Sequence, residues 1–159
     1  YIEIIDKIRS AKKGIAISSD FIVGFPGESD KDFEYTIDLI KQIGFAQAFS
    51  FNYSPRPGTP SADYHTQIPK SLKDERLHRL QQLLKEQQFE FNSHFIGKSV
   101  QILVEKTGKE ECHLVGRTPH LQSAFFKDIK KISKIGEFVD IKIDSVKVNN
   151  LSGELIESS

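Results

Sequence analysis

The sequence predicts two structural classes in series, an α/β half followed by an all-β half, with a long helix between them. Three observations carry that expectation. Residues 1–53 give the order helix, strand, helix, strand; residues 72–95 hold one long helical pattern; beyond Gly97 the texture changes to short alternating runs punctuated by glycine. The organisation that follows is part of a β/α barrel over residues 1–70, a connecting helix over 71–95, and a small antiparallel β-barrel over 96–157.

Each element has a local reason. Ile4, Ile5, Ile8 and Ala11 lie on one face at helical spacing, and Lys12, Lys13 and Gly14 supply the cations and glycine that end a helix. Residues 15–23 (IAISSDFIV) are short and rich in β-branched side chains, and Gly24-Phe25-Pro26-Gly27 closes that strand. Ser29 followed by Asp32 resembles a capping box with a shorter acid, and Phe33, Ile37, Ile40 and Gly44 continue at helical intervals. Residues 46–53 (AQAFSFNY) alternate strictly and run into Ser54-Pro55-Arg56-Pro57-Gly58-Thr59-Pro60, a rigid, non-helical loop.

Helices between strands return the chain in one direction and so predict a parallel sheet. A complete (β/α)8 barrel takes about 250 residues, so residues 1–70 supply only part of one. Ser18 and Asp20 share a face of the first strand, as Ser50 and Asn52 do of the second. Those polar positions predict the inward face of an open, substrate-holding barrel or the exposed edge of an incomplete sheet.

Leu77, Leu80, Leu84, Phe91 and Phe95 form the stripe of the long helix, interrupted at Gln88. Residues 99–105, 112–117, 123–126 and 138–148 then read as strands of a small closed barrel of the oligonucleotide-binding kind, with Gly108, Gly116, Gly136 and Gly153 as punctuation.

Composition sets limits on function. Lysine plus arginine equals aspartate plus glutamate at 22 each, so any nucleic-acid site is local rather than a global basic field. No apolar run nears the roughly 18 residues that cross a bilayer, and the first residues mix charge with isoleucine, which predicts a cytoplasmic protein without a membrane partner. One cysteine, Cys112, cannot by itself hold a metal or an iron–sulfur cluster, so no metal ligand is expected in this chain. The chain begins at Tyr1 in what reads as mid-helix, and the expectation is a piece that lacks an N-terminal neighbour.

Ligands of β/α proteins collect at the C-terminal ends of the strands, where the two unusual loops sit. In the first, the glycines let a ligand approach the backbone, and Glu28 precedes a helix; the carboxylate serves either a ligand or the helix dipole. In the second, prolines hold Arg56 still, so its guanidinium is either pre-organised for a carboxylate or phosphate or is a surface residue of a stiff linker.

Together, Ser19-Asp20-Phe21-Ile22-Val23-Gly24-Phe25-Pro26-Gly27-Glu28 and Phe51-Asn52-Tyr53-Ser54-Pro55-Arg56-Pro57-Gly58-Thr59-Pro60 closely resemble the MiaB-type tRNA methylthiotransferases. The resemblance implies that these are the last strands of a radical S-adenosylmethionine barrel and that the tail from Ile96 is a TRAM domain. It implies methylthiolation of carbon 2 of an isopentenyl-modified adenosine beside the tRNA anticodon. Radical chemistry of that kind is supplied by cofactors: S-adenosylmethionine and two four-iron four-sulfur clusters held by cysteines of the intact parent. Neither cysteine set occurs in this chain, so no catalytic residue is expected here, and the chain alone is expected to be inactive.

The resemblance assigns Ile22 and Gly24 to the cofactor, with Glu28 near the family's acid but one residue off its commonest spacing; Asp20, Ser54 and Arg56 are the substrate-side candidates. For the tRNA anticodon stem-loop the tail offers Lys98, Arg117, His120, Lys130 and Lys131, with Lys127 and Lys134 nearby and Phe125 or Phe126 for stacking. From Ile96 onward ten basic residues face nine acids, so a solvated charged surface is the competing reading. Alternative functions are a stand-alone RNA-binding module, and methylthiolation of a threonylcarbamoyl-modified tRNA base or of a ribosomal protein.

Overall fold

The computed structural model describes residues 1–156; the expected end of the barrel at residue 157 lies outside the described residues. The chain divides into two compact units, residues 1–87 and residues 88 onward, with the division inside the third helix.

The first unit runs α1 (Ile2–Ala11), β1 (Ser18–Val23), α2 (Asp30–Ile43), β2 (Gln47–Asn52), a 3-10 turn (Pro60–Asp63) and the first part of α3 (Lys70–Ser93). Helix α2 starts where its cap satisfies the exposed amides: the Asp32 amide donates to Ser29 Oγ at 3.2 Å and the Ser29 amide to Asp32 Oδ2 at 2.9 Å. It ends at left-handed Gly44. Gln87 then bridges the turn, donating to the Ile40 carbonyl at 2.9 Å and accepting from the Phe45 amide at 3.1 Å. Strands β1 and β2 pair in parallel, Ser18 opposite Gln47 through Val23 opposite Asn52. Phe33, Ile37, Ile40 and Ile43 of α2 meet Leu80 and Leu84 of α3, Ile5 of α1 and Val23 in one core, with Phe21 and Ala48 packed against it. Burial of this apolar surface, more than helix propensity, makes short helices stable.

The register corrects one expectation. Paired positions of neighbouring strands point the same way, so Ser18, Asp20 and Ile22 align with Gln47, Phe49 and Phe51. Ser50 and Asn52 lie on the opposite face, with Phe21 and Val23, and Asn52 Nδ2 donates to Asp74 Oδ1 of α3 at 2.7 Å. Alternation within a strand distinguishes two faces; the helices that cover one of them decide which is inside. The uncovered face is therefore part polar and part aromatic, with Ile22 59% exposed and Phe49 and Phe51 each 55%.

The second unit is a closed barrel of five strands among the described residues: β3 (Ser99–Thr107), β4 (His113–Arg117), β5 (Ser123–Lys127), β6 (Phe138–Lys147) and β7 (Asn150–Leu155), ordered β3-β4-β5-β7-β6 with β6 returning to β3. The pairs are antiparallel except β5 with β7, which run parallel. Strand β7 was not anticipated, because Gly153 reads as a turn residue; in the structure it sits inside the strand opposite Ile143. Ile102, Val104, Ala124, Phe126, Ile141, Ile143 and Leu151 fill the barrel. Of the two candidate stacking phenylalanines, Phe126 is therefore core, while its neighbour Phe125 points to the other face and is only partly covered.

The expected single stripe on α3 serves two cores. Leu80 and Leu84 are buried in the first unit, whereas Phe95 lies just past the helix end and packs on the barrel core. Asn92, buried in the last turn, donates to the carbonyls of Lys147 and Val148 at 2.8 and 2.9 Å and accepts from Gln122 Nε2 at 2.6 Å.

Candidate functional site

The two loops expected to carry ligands leave the same end of the parallel sheet. The Tyr53 amide donates to the Val23 carbonyl at 2.8 Å, which carries the pairing one step past the strands, and the rings of Phe25 and Tyr53 meet edge to face at 5.1 Å. Gly24, at φ +72°, turns the chain out of β1 in the left-handed region. Its amide donates to Glu28 Oε2 at 3.0 Å, and Glu28 Oε1 accepts from Arg76 Nη1 at 2.7 Å. Both oxygens of the Glu28 carboxylate are thus engaged within the protein.

Arg76 is the residue that sequence reasoning missed. It lies four positions before Leu80 on the buried side of α3 and is 3% exposed. The guanidinium also donates to the Glu28 carbonyl at 3.1 Å and to Asp30 Oδ1 at 2.6 Å, and it lies over the Phe33 ring at 5.6 Å. Burial alone would lower its pKa, but the bonds to Asp30 and Glu28 outweigh it and raise the value above the ordinary one. One turn earlier on α3, Lys73 Nζ donates to the Tyr53 carbonyl at 3.2 Å. A Cβ added at Gly24 would fall 2.2 Å from Lys73 Cγ, so the absence of a side chain there lets helix and loop meet. The signal for Arg76 was available in principle: an arginine on a helix's apolar stripe requires carboxylate partners.

In the second loop Arg56 and Ser54 are exposed. The Thr59 amide and hydroxyl both donate to the Arg56 carbonyl, at 3.1 and 2.8 Å, and Tyr53 Oη donates to Ser61 Oγ at 3.0 Å at the loop's base. The backbone of Arg56 is thereby held while its guanidinium faces solvent. Ile22 and Asp20 stand on the uncovered sheet face beside Phe49 and Phe51, a surface with flat rings for an apolar or heteroaromatic ligand and one carboxylate for a cation or hydroxyl.

In the barrel unit the five candidate RNA contacts fall into two groups. Arg117 ends β4 and His120 lies in the β4–β5 turn; Arg117 donates to Glu105 Oε2 at 3.3 Å and to the Leu121 carbonyl at 3.0 Å. The ring of Phe95 lies 5.5 Å from that of His120 and 6.0 Å from Lys98 Nζ, which joins Lys98 to this group. Lys130 and Lys131 lie beyond the other end of β5, roughly 15 Å away at about 3.3 Å per residue. Lys131 lines a cavity of about 230 Å³ with Cys112, His113 and Asp128. Cys112 and His113 have structural partners: the Cys112 carbonyl accepts from the Asp128 amide at 2.8 Å, and His113 Nδ1 lies 3.4 Å from Glu110. Among the described residues no group of three His, Cys, Asp or Glu side chains could hold a metal ion, and no helix is long and apolar enough to cross a membrane.

Residues 93–156, nearly the whole barrel unit, match the family model of the TRAM domain. The chain is 45% identical over 156 residues, 98% of its length, to the tRNA-2-methylthio-N(6)-dimethylallyladenosine synthase of Rickettsia rickettsii (strain Sheila Smith). The similarity therefore runs through nearly the whole of the chain. The enzyme of the same name from Ehrlichia ruminantium (strain Welgevonden) is 48% identical over 153 residues, and that from Rickettsia bellii (strain OSU 85-389) 44% over 155. The chain spans only about a third of these proteins, 34–35% of their length. The match to the MiaB-type enzymes runs through both loops and the barrel, so the two units occur together in those proteins.

Proposed function

We propose that this chain is the S-adenosylmethionine-adjacent wall and the RNA-binding tail of a tRNA methylthiotransferase acting on carbon 2 of isopentenyladenosine beside the anticodon. The observation that carries the reading is the match of nearly the whole chain to synthases of that name, with residues 93–156 a TRAM domain. In this reading residues 1–70 belong to the cofactor barrel, residues 71–95 connect, and residues 96–157 bind tRNA in the cytoplasm.

The uncovered face of the β1–β2 sheet fits part of a nucleoside-containing cofactor. Ile22 gives apolar contact and Phe49 and Phe51 offer ring surface, while Gly24, buried against Lys73, shapes the loop at the end of β1. Asp20 and the solvent-facing Arg56, with Ser54, stand where a substrate base and its phosphates would approach. When bound, S-adenosylmethionine and the iron–sulfur clusters supply the radical and sulfur chemistry that an aromatic C–H bond demands. This chain's one cysteine, Cys112, is placed in the barrel unit and cannot supply the clusters, so their ligands come from the rest of the parent enzyme. Here the chain's own work is to bind, to orient and to hold RNA.

The test is expression of the full-length protein in a bacterium lacking its own enzyme for this mark, followed by mass spectrometry of tRNA nucleosides. A methylthio group on isopentenyladenosine is expected. Its appearance on threonylcarbamoyladenosine or on a ribosomal protein would overturn the substrate, and its absence everywhere would overturn the enzyme. For the tail, the full-length protein should bind the isopentenylated anticodon stem-loop more tightly than an unrelated hairpin. Replacing a phosphate-contacting lysine such as Lys131 with alanine should lower the salt slope by about one.

A further inference from the structure

We propose that Arg76 is a positioning residue for S-adenosylmethionine: from α3 it holds Glu28 against the Gly24 amide and so keeps the Gly24–Glu28 loop in its cofactor-bearing shape. The inference rests on the reading that this loop borders the cofactor.

The geometry is a relay of three links. Arg76 Nη1 binds Glu28 through its carboxylate and its carbonyl, Nη2 binds Asp30, and the remaining Glu28 oxygen takes the Gly24 N–H at 3.0 Å. Glycine at a strand end samples many backbone conformations, and the carboxylate–amide bond selects one of them. Because both Glu28 oxygens are occupied inside the protein, the acid acts on the loop rather than on a ligand. The planar fork of arginine reaches two carboxylates at once; a lysine at the same place could satisfy one. Lys73 grips the neighbouring loop through the Tyr53 carbonyl, so successive turns of α3 anchor both loops at the ends of β1 and β2. Arg76 lies 48 residues from Glu28 in the chain, yet the pair is nearly dehydrated, with side chains 4% and 13% exposed. By contrast, the Asp30 side chain is 90% exposed and contributes far less constraint.

The experiment uses the full-length enzyme and two readouts other than turnover: equilibrium dialysis of S-adenosylmethionine and amide hydrogen exchange at Gly24. Arg76→Lys should weaken cofactor binding roughly tenfold and speed exchange at Gly24, with stem-loop affinity unchanged. Leu84→Ala, a core change in the same unit, serves as the control. It should lower the melting temperature and leave cofactor affinity alone. If Leu84→Ala weakens the cofactor as much as Arg76→Lys does for the same loss of melting temperature, Arg76 is merely structural and the inference is overturned. Ile22→Ala separates this from the underlying reading: weakened binding there with none at Arg76→Lys overturns the inference only, and no effect at Ile22 overturns the cofactor reading itself. Should Arg76→Lys fail to fold, Glu28→Gln is measured instead, with the same expected weakening and the same overturning result if affinity and exchange stay as in the wild type.

Discussion

Asp128 is 3% exposed, and its two carboxylate oxygens accept from the Ile132 amide at 3.2 Å and the Ser133 amide at 2.8 Å. Burial pushes its pKa up, but the amide bonds from Ser133 and Ile132 outweigh burial and hold it below the ordinary aspartate value. A carboxyl more acidic folded than unfolded stabilises the fold above the unfolded value of about 3.9, and that contribution is lost as pH falls through the lower folded value. Asp128→Asn should therefore cost the barrel unit about 1–3 kcal/mol at pH 7 and flatten the fall in melting temperature below about pH 4, as read by thermal melts between pH 2 and 7. The same loop carries Lys130 and Lys131, so its order is a condition for any RNA contact they make. In the sequence, Lys-Asp-Ile-Lys-Lys reads as a solvated charge run. Nothing local distinguishes an aspartate that turns inward to cap its own loop. Glu28 was legible as an acid before a helix, whereas its partner Arg76, far along the chain, was not.

At the scale of elements, barrel closure depends on two glycines facing two bulges. Strand β3 shifts register between Val104 and Lys106 beside Gly116, and β6 shifts between Ile143 and Ser145 beside Gly153. Such bulges increase local twist and bend a strand, which is how a few strands turn a tight barrel corner. A Cβ at Gly116 would lie 2.3 Å from the Leu103 carbonyl oxygen, and one at Gly153 2.3 Å from that of Lys142. Backbone cannot move aside as a flexible side chain can. Either glycine changed to alanine should cost about 1–3 kcal/mol, measured as a lower urea midpoint of the barrel unit. These glycines also explain the missed β7. A glycine inside a strand pattern signals close backbone approach as readily as a turn, and only the neighbouring strand decides between them.

For the whole molecule, the two units differ in what they leave unpaired. The barrel closes on itself, so each of its strands has two neighbours, whereas β1 and β2 pair only with each other among the described residues and present open edges. The chain taken alone should unfold in two steps. The first unit should go first and at a midpoint that depends on protein concentration, and amide exchange should assign that step to residues 1–87. A single concentration-independent transition would contradict this. Sequence alone determined the order of classes, the capping box of α2, the two loops at the ends of β1 and β2, and the family those loops resemble, because caps, turns and alternation are written within a few residues of one another. Tertiary structure alone decided which sheet face is uncovered, that Ser50 and Asn52 turn toward the helix side, that β5 and β7 run parallel, and that Arg76 ties α3 to Glu28. Each of those depends on contacts between segments far apart in the chain, where the physical constraint is packing and charge burial rather than local propensity.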